Sequence, residues 1–522
     1  MRHWRGSVAP RLTGTALRAA LGRVGGTPRP RLAVAALLAC LLGGGLAALL
    51  VVLLGGHAKP APRLVPRLAG LTSDPLAFAP AQRQSLEQAA ARGYAQVLYA
   101  KSPGGVVASA RRTARYRSLV EQAVAGTGID PDLLEAIVFL ESAGRPDVIA
   151  GSDPASAAGL TQILAETAKD FLGMHVDLTV SRYLTDAIAA AQRRGDPQAA
   201  RRLEARRRRV DARFDPAKAL AGTVRYLLTA RKRFGRDDLA VVSYHMGIGN
   251  LQNVLRDYAG KGGTIEQLVA RNDLSWARVY FASSPVDHRS AWARLAGFGD
   301  DSQTYYWRVL AAEQIMRLYR SDPSELQRLA VLQREKASAE DVLHPPATTE
   351  RFATAGQLEH AWSEGVVQPL PNEPAVLHVR VAPTMGALAD RLGKQPDLYR
   401  GLRPDALALL LYLAGRVHAL SGAPALTVSA TVLDDQYRQL LPTTDPEAGT
   451  GYSVLTTGYA FDVRRTYTSP AQAAAFQYEL ERLQARDLIA WIRTPTTIHV
   501  TVSSAAGSLV PVLLRTVPAG SR

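Results

Sequence analysis

The stretch Ile137 to Pro146, IVFLESAGRP, puts a carboxylate where an apolar pattern calls for another aliphatic residue. Leu134, Ile137, Val138 and Glu141 recur at i, i+3, i+4 and i+7, the spacing of one helix face, so Glu141 belongs to the inward stripe. Glu135, six residues earlier, points about 120° away on the same geometry. Burial disfavours an ionised carboxylate, and so does the negative end of a helix dipole; both raise the pKa of Glu141. A carboxylic acid that stays protonated near neutrality can protonate a leaving oxygen. The same periodicity is equally met by a glutamate that caps the helix end or pairs with Arg145.

Asp130-Pro131 supplies an N-cap and first-turn proline for the helix that carries Glu141, and Asp215-Pro216 does the same for the segment AKALAGTVRYLL. Helical patterns run from about residue 85 to 320. Within them ARRLEARRRRVDAR, Ala200 to Arg213, reads as a basic helix with a solvated face or one that meets an anionic polymer or lipid. After about residue 356 the pattern changes, and ALTVSATV and TTIHVTVS read as strands around the helical AQAAAFQYELERLQA. The 522 residues thus divide into a mostly α domain (85–320) and a smaller α+β domain (356–522), joined by a connector at 321–355.

An excess of 62 Lys+Arg over 46 Asp+Glu, +16 in all, favours an anionic partner such as a wall polymer or phospholipid surface. No nucleic-acid motif accompanies it, so nucleic acid is not expected. The single cysteine, Cys40, excludes an intrachain disulfide and a multi-thiolate metal site. Leu32 to Leu54 is a charge-free apolar run whose helix, about 35 Å long, would cross a bilayer core of about 30 Å. Seven arginines precede the run and the first acidic residue is Asp74, which places residues 1–31 in the cytoplasm and the rest outside. An uncleaved signal anchor fits better than a lipidated Cys40 or a cleaved leader. Residues 55–84, rich in Pro and Ala, read as an extended stalk.

Glu141-Ser142, then Gly159-Leu160-Thr161-Gln162, then Ser243-Tyr244-His245-Met246-Gly247-Ile248-Gly249-Asn250 resemble three ordered motifs of the soluble lytic transglycosylase family, usually Glu-Ser, Gly-Leu-Met-Gln and Ala-Tyr-Asn-Ala-Gly-x-Gly-Asn. Asp215-Pro216 with Gly222, and the segment from Tyr305 to Leu310, are similar to two further helices of that family, so the resemblance covers about 116–320. It implies a lysozyme-like fold and cleavage of the β-1,4 bond between N-acetylmuramic acid and N-acetylglucosamine in peptidoglycan, leaving 1,6-anhydromuramoyl ends. It also implies Glu141 as the sole acid/base, no cofactor, and Ser142, Gly159, Gln162, Tyr244, His245 and Tyr305 around the sugars. The run LAVVSYH equally suits Tyr244 as a core tyrosine. Thr161, His245 and Met246 depart from the family's Met, Asn and small residue. The goose-type lysozymes share the acid but add aspartates that activate water; Asp147 and Asp153 are the candidates here, so muramidase action is the hydrolytic alternative. A glycan-binding scaffold without catalysis is another.

In the second domain, the segment from Leu402 to Leu441, then Ser453 to Asp462, then Ile498-His499-Val500, resemble the zinc D-alanyl-D-alanine carboxypeptidases. Asp462 and His499 match two of that family's ligands. Leu455 stands at the other ligand position and Thr496 at the general base, and neither side chain can do that work. His378 and His418 could in principle substitute. The resemblance therefore implies a degenerate, metal-free peptidase fold that binds peptide stems or a protein partner, with an active zinc peptidase as the rival. The chain as a whole is expected in the bacterial cytoplasmic membrane, its two domains facing the wall or periplasm, beside wall-synthesis, division or secretion proteins.

Overall fold

The computed structural model describes residues 63–67, 74–260, 262–334, 338–443 and 451–517. The basic tail, the apolar run 32–54 and Cys40 lie outside them; among the described residues no helix is long and apolar enough to cross a membrane.

The first described segment is a strand, β1 (Arg63–Pro66). Helices follow: α1 (Arg83–Gly93), α2 (Gln96–Lys101), α3 (Val106–Ala114), α4 (Arg117–Val124) and α5 (Pro131–Ser142). Next come α6 (Leu178–Arg193), α7 (Pro197–Val210), α8 (Pro216–Phe234), α9 (Asp237–Met246), α10 (Trp276–Ala282) and α11 (Tyr305–Ser321), with shorter helices between. The Asp130 side chain accepts from the Asp132 amide at 2.8 Å, and Pro131 opens α5, the start its sequence predicts. α5 is buried along most of its circumference, Leu134 through Phe139 without interruption, as suits the central helix of a bundle. Glu135 therefore does not reach solvent. It is 1% exposed and ion-paired to Arg117 at 3.1 Å and to Arg320 of α11, partners that offset the cost of burying its charge.

The basic run is only partly a solvated face. α6 and α7 form a helical hairpin, and Arg207 near its end and Arg213 beyond it are 3% and 0% exposed. Arg207 lies over the Phe214 ring at 3.7 Å, and Arg213 pairs with buried Asp211 at 2.7 Å.

The second domain is built on a mixed sheet of β2 (Val379–Val381), β3 (Leu426–Ala430), β4 (Ala460–Arg464), β5 (Ile489–Arg493) and β6 (Thr497–Val502), in spatial order β2-β3-β4-β6-β5. β2 and β3 are parallel and the other pairs antiparallel. Two helices, α12 (Pro404–Ser421) and α13 (Pro470–Ala485), share a core with Val428, Phe461, Val463, Ile498, Val500 and Val502. By strand alternation Ser429, Asp462, Arg464, Thr497, His499 and Thr501 take the opposite face, which is polar.

Two segments expected as spacers are structured. β1 pairs antiparallel with the last strand, β7 (Leu514–Val517), from Arg63 opposite Val517 to Pro66 opposite Leu514. The 321–355 connector contains helices Pro323–Leu332 and Glu340–Leu343. β1 depends on a partner distant in sequence, so no local pattern marks it, whereas Asp322-Pro323 caps and opens the first connector helix as Asp130-Pro131 does α5. The two domains also meet directly. A Cβ at Gly93 would lie 1.9 Å from the Gln484 carbonyl oxygen, so α1 and α13 touch backbone to backbone only because residue 93 is glycine. Beside that contact Arg482 lies 4.1 Å from the Tyr280 ring and donates to the Ser283 carbonyl at 2.6 Å.

Candidate active site

Glu141 sits in the last turn of α5, half-buried, and its Oε1 accepts a hydrogen bond from Tyr305 Oη at 2.7 Å. Burial pushes its pKa up to about 7, against the opposing pull of the Tyr305 bond. Arg145 does not pair with it; that guanidinium donates instead to the Ser142 carbonyl at 2.9 Å. The group is thus neither a cap nor half of an ion pair. It is an acid balanced between its protonated and ionised forms near neutral pH, with one fixed hydrogen-bond donor.

Two tyrosines crowd this carboxyl. Burial first, and Glu141 second, hold the hydroxyl protons of Tyr305 and Tyr244 well above the usual phenol range. Tyr244, at the end of α9, donates to the Thr161 carbonyl at 2.8 Å and lies 3.2 Å from Thr223 Oγ1. It is both a packed tyrosine, edge-on to Tyr226 at 5.2 Å, and a neighbour of the acid. His245 stacks on Tyr305 with centroids 4.9 Å apart, and its Nδ1 lies 3.1 Å from Ser302 Oγ. The ring keeps an exposed edge, yet partial burial lowers its pKa while Asp300 and Asp301 oppose that shift.

Ser142 has a different place from the one its motif suggests. Its hydroxyl is 1% exposed and lies 2.7 Å from the Leu160 carbonyl and 3.2 Å from that of Val138. Rather than facing a sugar, it ties the end of α5 to the turn of Gly159 to Gln162. Gly159 has φ +83°, and a Cβ there would fall 1.9 Å from the Arg213 carbonyl oxygen, so only glycine fits. Gln162, at φ 53°, turns its Nε2 onto the carbonyls of Gly159 (2.8 Å) and Val148 (3.2 Å). Thr161, where the family motif has Met, is fully buried and its hydroxyl has no hydrogen-bond partner.

The loop after Glu141 is held by arginines that sequence reasoning did not single out. Arg213 donates to the carbonyls of Pro154, Ser156 and Ile163. Asp147 is gripped by Arg207 at 3.3 Å and Arg208 at 3.2 Å, and Asp153 by Arg182 at 2.9 and 3.1 Å. Both aspartates considered as water-activating bases are therefore committed to guanidinium groups. The hydrogen bonds from Arg182, with one from the Ala155 amide, hold Asp153 below the usual carboxylate pKa.

In the second domain the remnant metal ligands form a different structure. His499 Nδ1 lies 2.6 Å from Asp462 Oδ1, and its Nε2 lies 2.9 Å from Glu340 Oε1. Burial opposes the charged ring, but the two carboxylates prevail and lift its pKa to about 10. Both ring nitrogens are thus engaged by carboxylate oxygens. Leu455 and Thr496 border a groove of about 650 Å³ beside Asp462, and His378 and His418 stack only on each other, 3.7 Å apart. Among the described residues no group of three His, Cys, Asp or Glu is arranged to hold a metal. This donor set does not fit a hydrolytic zinc ion.

Residues 118–191 match the family model described as the transglycosylase SLT domain. The match spans most of α4 through most of α6 and includes Glu141, Ser142, Gly159 and Gln162. Comparison with curated proteins gave no match. The chain therefore carries a transglycosylase-type domain of the kind that acts on peptidoglycan, mostly helical and followed by a smaller sheet domain. Tyr244, His245 and Tyr305 lie beyond the matched stretch and enter the site by geometry.

Proposed function

We propose that the protein is a lytic transglycosylase that cleaves the N-acetylmuramic acid to N-acetylglucosamine bond of peptidoglycan without water, with Glu141 as its only acid/base. The observation that carries this reading is the state of the carboxylates. One acid has its pKa raised to about 7, and the two aspartates that could serve a hydrolytic water are tied to arginines. Protonated Glu141 donates to the glycosidic oxygen as the C1–O bond breaks, and the substrate's acetamido oxygen bonds to C1. The Glu141 carboxylate then takes the proton of the 6-hydroxyl, whose oxygen displaces the acetamido group and closes the 1,6-anhydro ring. Such substrate assistance needs one protein carboxylate rather than the two of most glycosidases. Tyr305 orients the acid, while Gln162, Tyr244 and His245 border the sugars, Gly159 lets the turn approach, and Ser142 holds that turn in place.

In this reading the apolar run 32–54 anchors the chain in the cytoplasmic membrane and both domains face the wall. The second domain is an accessory module whose polar groove takes a peptide stem or a partner protein. Digestion of purified peptidoglycan with the full chain should release anhydromuropeptides, identified by mass. Glu141→Gln should lower the rate by roughly 10²–10⁴. Reducing ends in place of anhydro ends would indicate a muramidase, and absence of product from the intact protein would favour a glycan-binding scaffold. Chelator-sensitive release of D-alanine would overturn the metal-free reading of the second domain.

A further inference from the structure

A cavity of about 220 Å³ opens beside Glu141, bounded by the end of α5, the turn after α2, and Arg308 of α11. Three cations line it, Lys101, Arg145 and Arg308, against the single carboxyl of Glu141. Arg308 is paired with Asp301. Lys101 and Arg145 form no ion pair among the described residues, and both are exposed. Arg145 is nonetheless fixed, through its bond to the Ser142 carbonyl.

Arg112 stands behind this wall and shapes it. Its guanidinium donates to the Ala143 carbonyl at 3.0 Å and the Pro103 carbonyl at 2.7 Å, which locks the α2–α3 turn to the end of α5. Burial first, and then the charges of Arg145 and Arg115, lower its pKa, so like charges gather here at a cost. Elsewhere around the catalytic helix the arrangement is the reverse. Arg117, Arg182, Arg207 and Arg320 each meet a carboxylate. Two exposed cations without an ion-pair partner among the described residues, Lys101 and Arg145, border the carboxyl of Glu141 and are complementary to an anionic group on a substrate.

We propose that this pocket binds carboxylate on the substituent of the muramic acid seated beside Glu141, and that Lys101 and Arg145 make the enzyme selective for that charge. The proposal rests on peptidoglycan being the substrate. The carboxylate has two sources there, the lactyl ether itself where the sugar is bare, or the acidic peptide that extends it.

Three glycan fragments separate the cases: GlcNAc–MurNAc oligomers with bare lactyl groups, the same oligomers bearing an acidic stem peptide, and that peptide form with every carboxylate amidated. Affinities would be measured by calorimetry on the full chain carrying Glu141→Gln, with and without Lys101→Gln and Arg145→Gln. The double substitution should weaken the charged fragments by about tenfold and leave the amidated one unchanged. Loss with the bare form alone identifies the lactyl carboxylate, which the stem peptide converts to an amide; loss with the peptide form alone identifies the peptide, and loss with both shows that the pocket accepts either carboxylate. Arg145→Lys should restore most of the affinity, which a purely structural arginine would not allow. Equal binding of charged and amidated fragments, or equal weakening of both, would overturn the proposal. The transglycosylase reading fails separately, if the wild-type chain gives no anhydro ends while the charge preference persists.

Discussion

Replacing Tyr305 by Phe removes one hydroxyl and keeps the ring that stacks on His245 at 4.9 Å. That hydroxyl donates to Glu141 at 2.7 Å, stabilising the carboxylate while burial has already lifted its pKa to about 7. A hydrogen bond to a charged group is worth roughly 1.5–3 kcal/mol, and about 1.4 kcal/mol is one pKa unit. Because Glu141 keeps some contact with water, the lower end applies, and losing the bond should raise its pKa by about one unit. In the proposed reaction the acid is protonated when the glycosidic bond breaks, so activity is expected to fall as pH rises through this pKa. Tyr305→Phe should therefore move the alkaline limb of the kcat/KM profile to higher pH by about one unit, while lost positioning lowers the optimum rate by about tenfold. The assay is release of anhydromuropeptides between pH 5 and about pH 9. An alkaline limb that stays in place, or moves to lower pH, would refute the reasoning that this bond tunes the acid.

The same acid costs stability. Folded Glu141 holds its proton up to about pH 7 and an unfolded glutamate only to about 4.3, so the folded chain binds more protons between these values. Stability contributed by this group is therefore lost as pH rises through that window, by at most about 4 kcal/mol. Glu141→Gln should melt above wild type at pH 8 and level with it at pH 4; equal melting at both would mean the pKa is not raised. Thr161→Val removes a buried hydroxyl that lacks a partner and should stabilise the fold by about 1–2 kcal/mol in urea unfolding, a gain that a measured loss would disprove. Arg213→Met strips Asp211 of its buried partner and should cost about 3–5 kcal/mol. It should also expose residues 153–163 to proteolysis, and Asp211→Asn should recover part of the loss; unchanged stability would show that the clamp carries no energy.

What could be read from the sequence was local. The cap at Asp130, the proline at 131 and the apolar repeat that ends on Glu141 all lie within a dozen residues, and the helix they predict is present. The alternation in TTIHVTVS likewise gives a strand with Asp462 opposite His499. What escaped notice depends on distance. β1 is four residues whose partner strand lies at the other end of the chain. Glu340 meets His499 from a segment read as a connector. The Ser142 hydroxyl turns toward Leu160 because the intervening loop folds back, which a two-residue motif cannot reveal. The basic run misled for another reason. Composition cannot say which of several arginines points inward, and Arg207 and Arg213 look like their exposed neighbours until Phe214 and Asp211 are placed beside them.

That basic run also bears on the chemistry. Hydrolysis requires a carboxylate free to take a proton from water, and the loop after Glu141 offers Asp147 and Asp153 for the task. The hairpin α6–α7 contributes Arg182, Arg207 and Arg208, which occupy both. Beyond its end, Arg213 secures the carbonyls of Pro154 and Ser156 that follow the two aspartates, and its own carbonyl leaves room for nothing larger than Gly159. The hairpin thus does two things at once. It fixes the turn that borders the acid and, in the proposed reaction, engages the carboxylates that a hydrolytic water would need. Part of the positive charge that composition assigns to an external polyanion is therefore spent inside the fold, on aspartates. Lys101 and Arg145, near the acid, are the cations for which the proposal supplies a partner from the substrate.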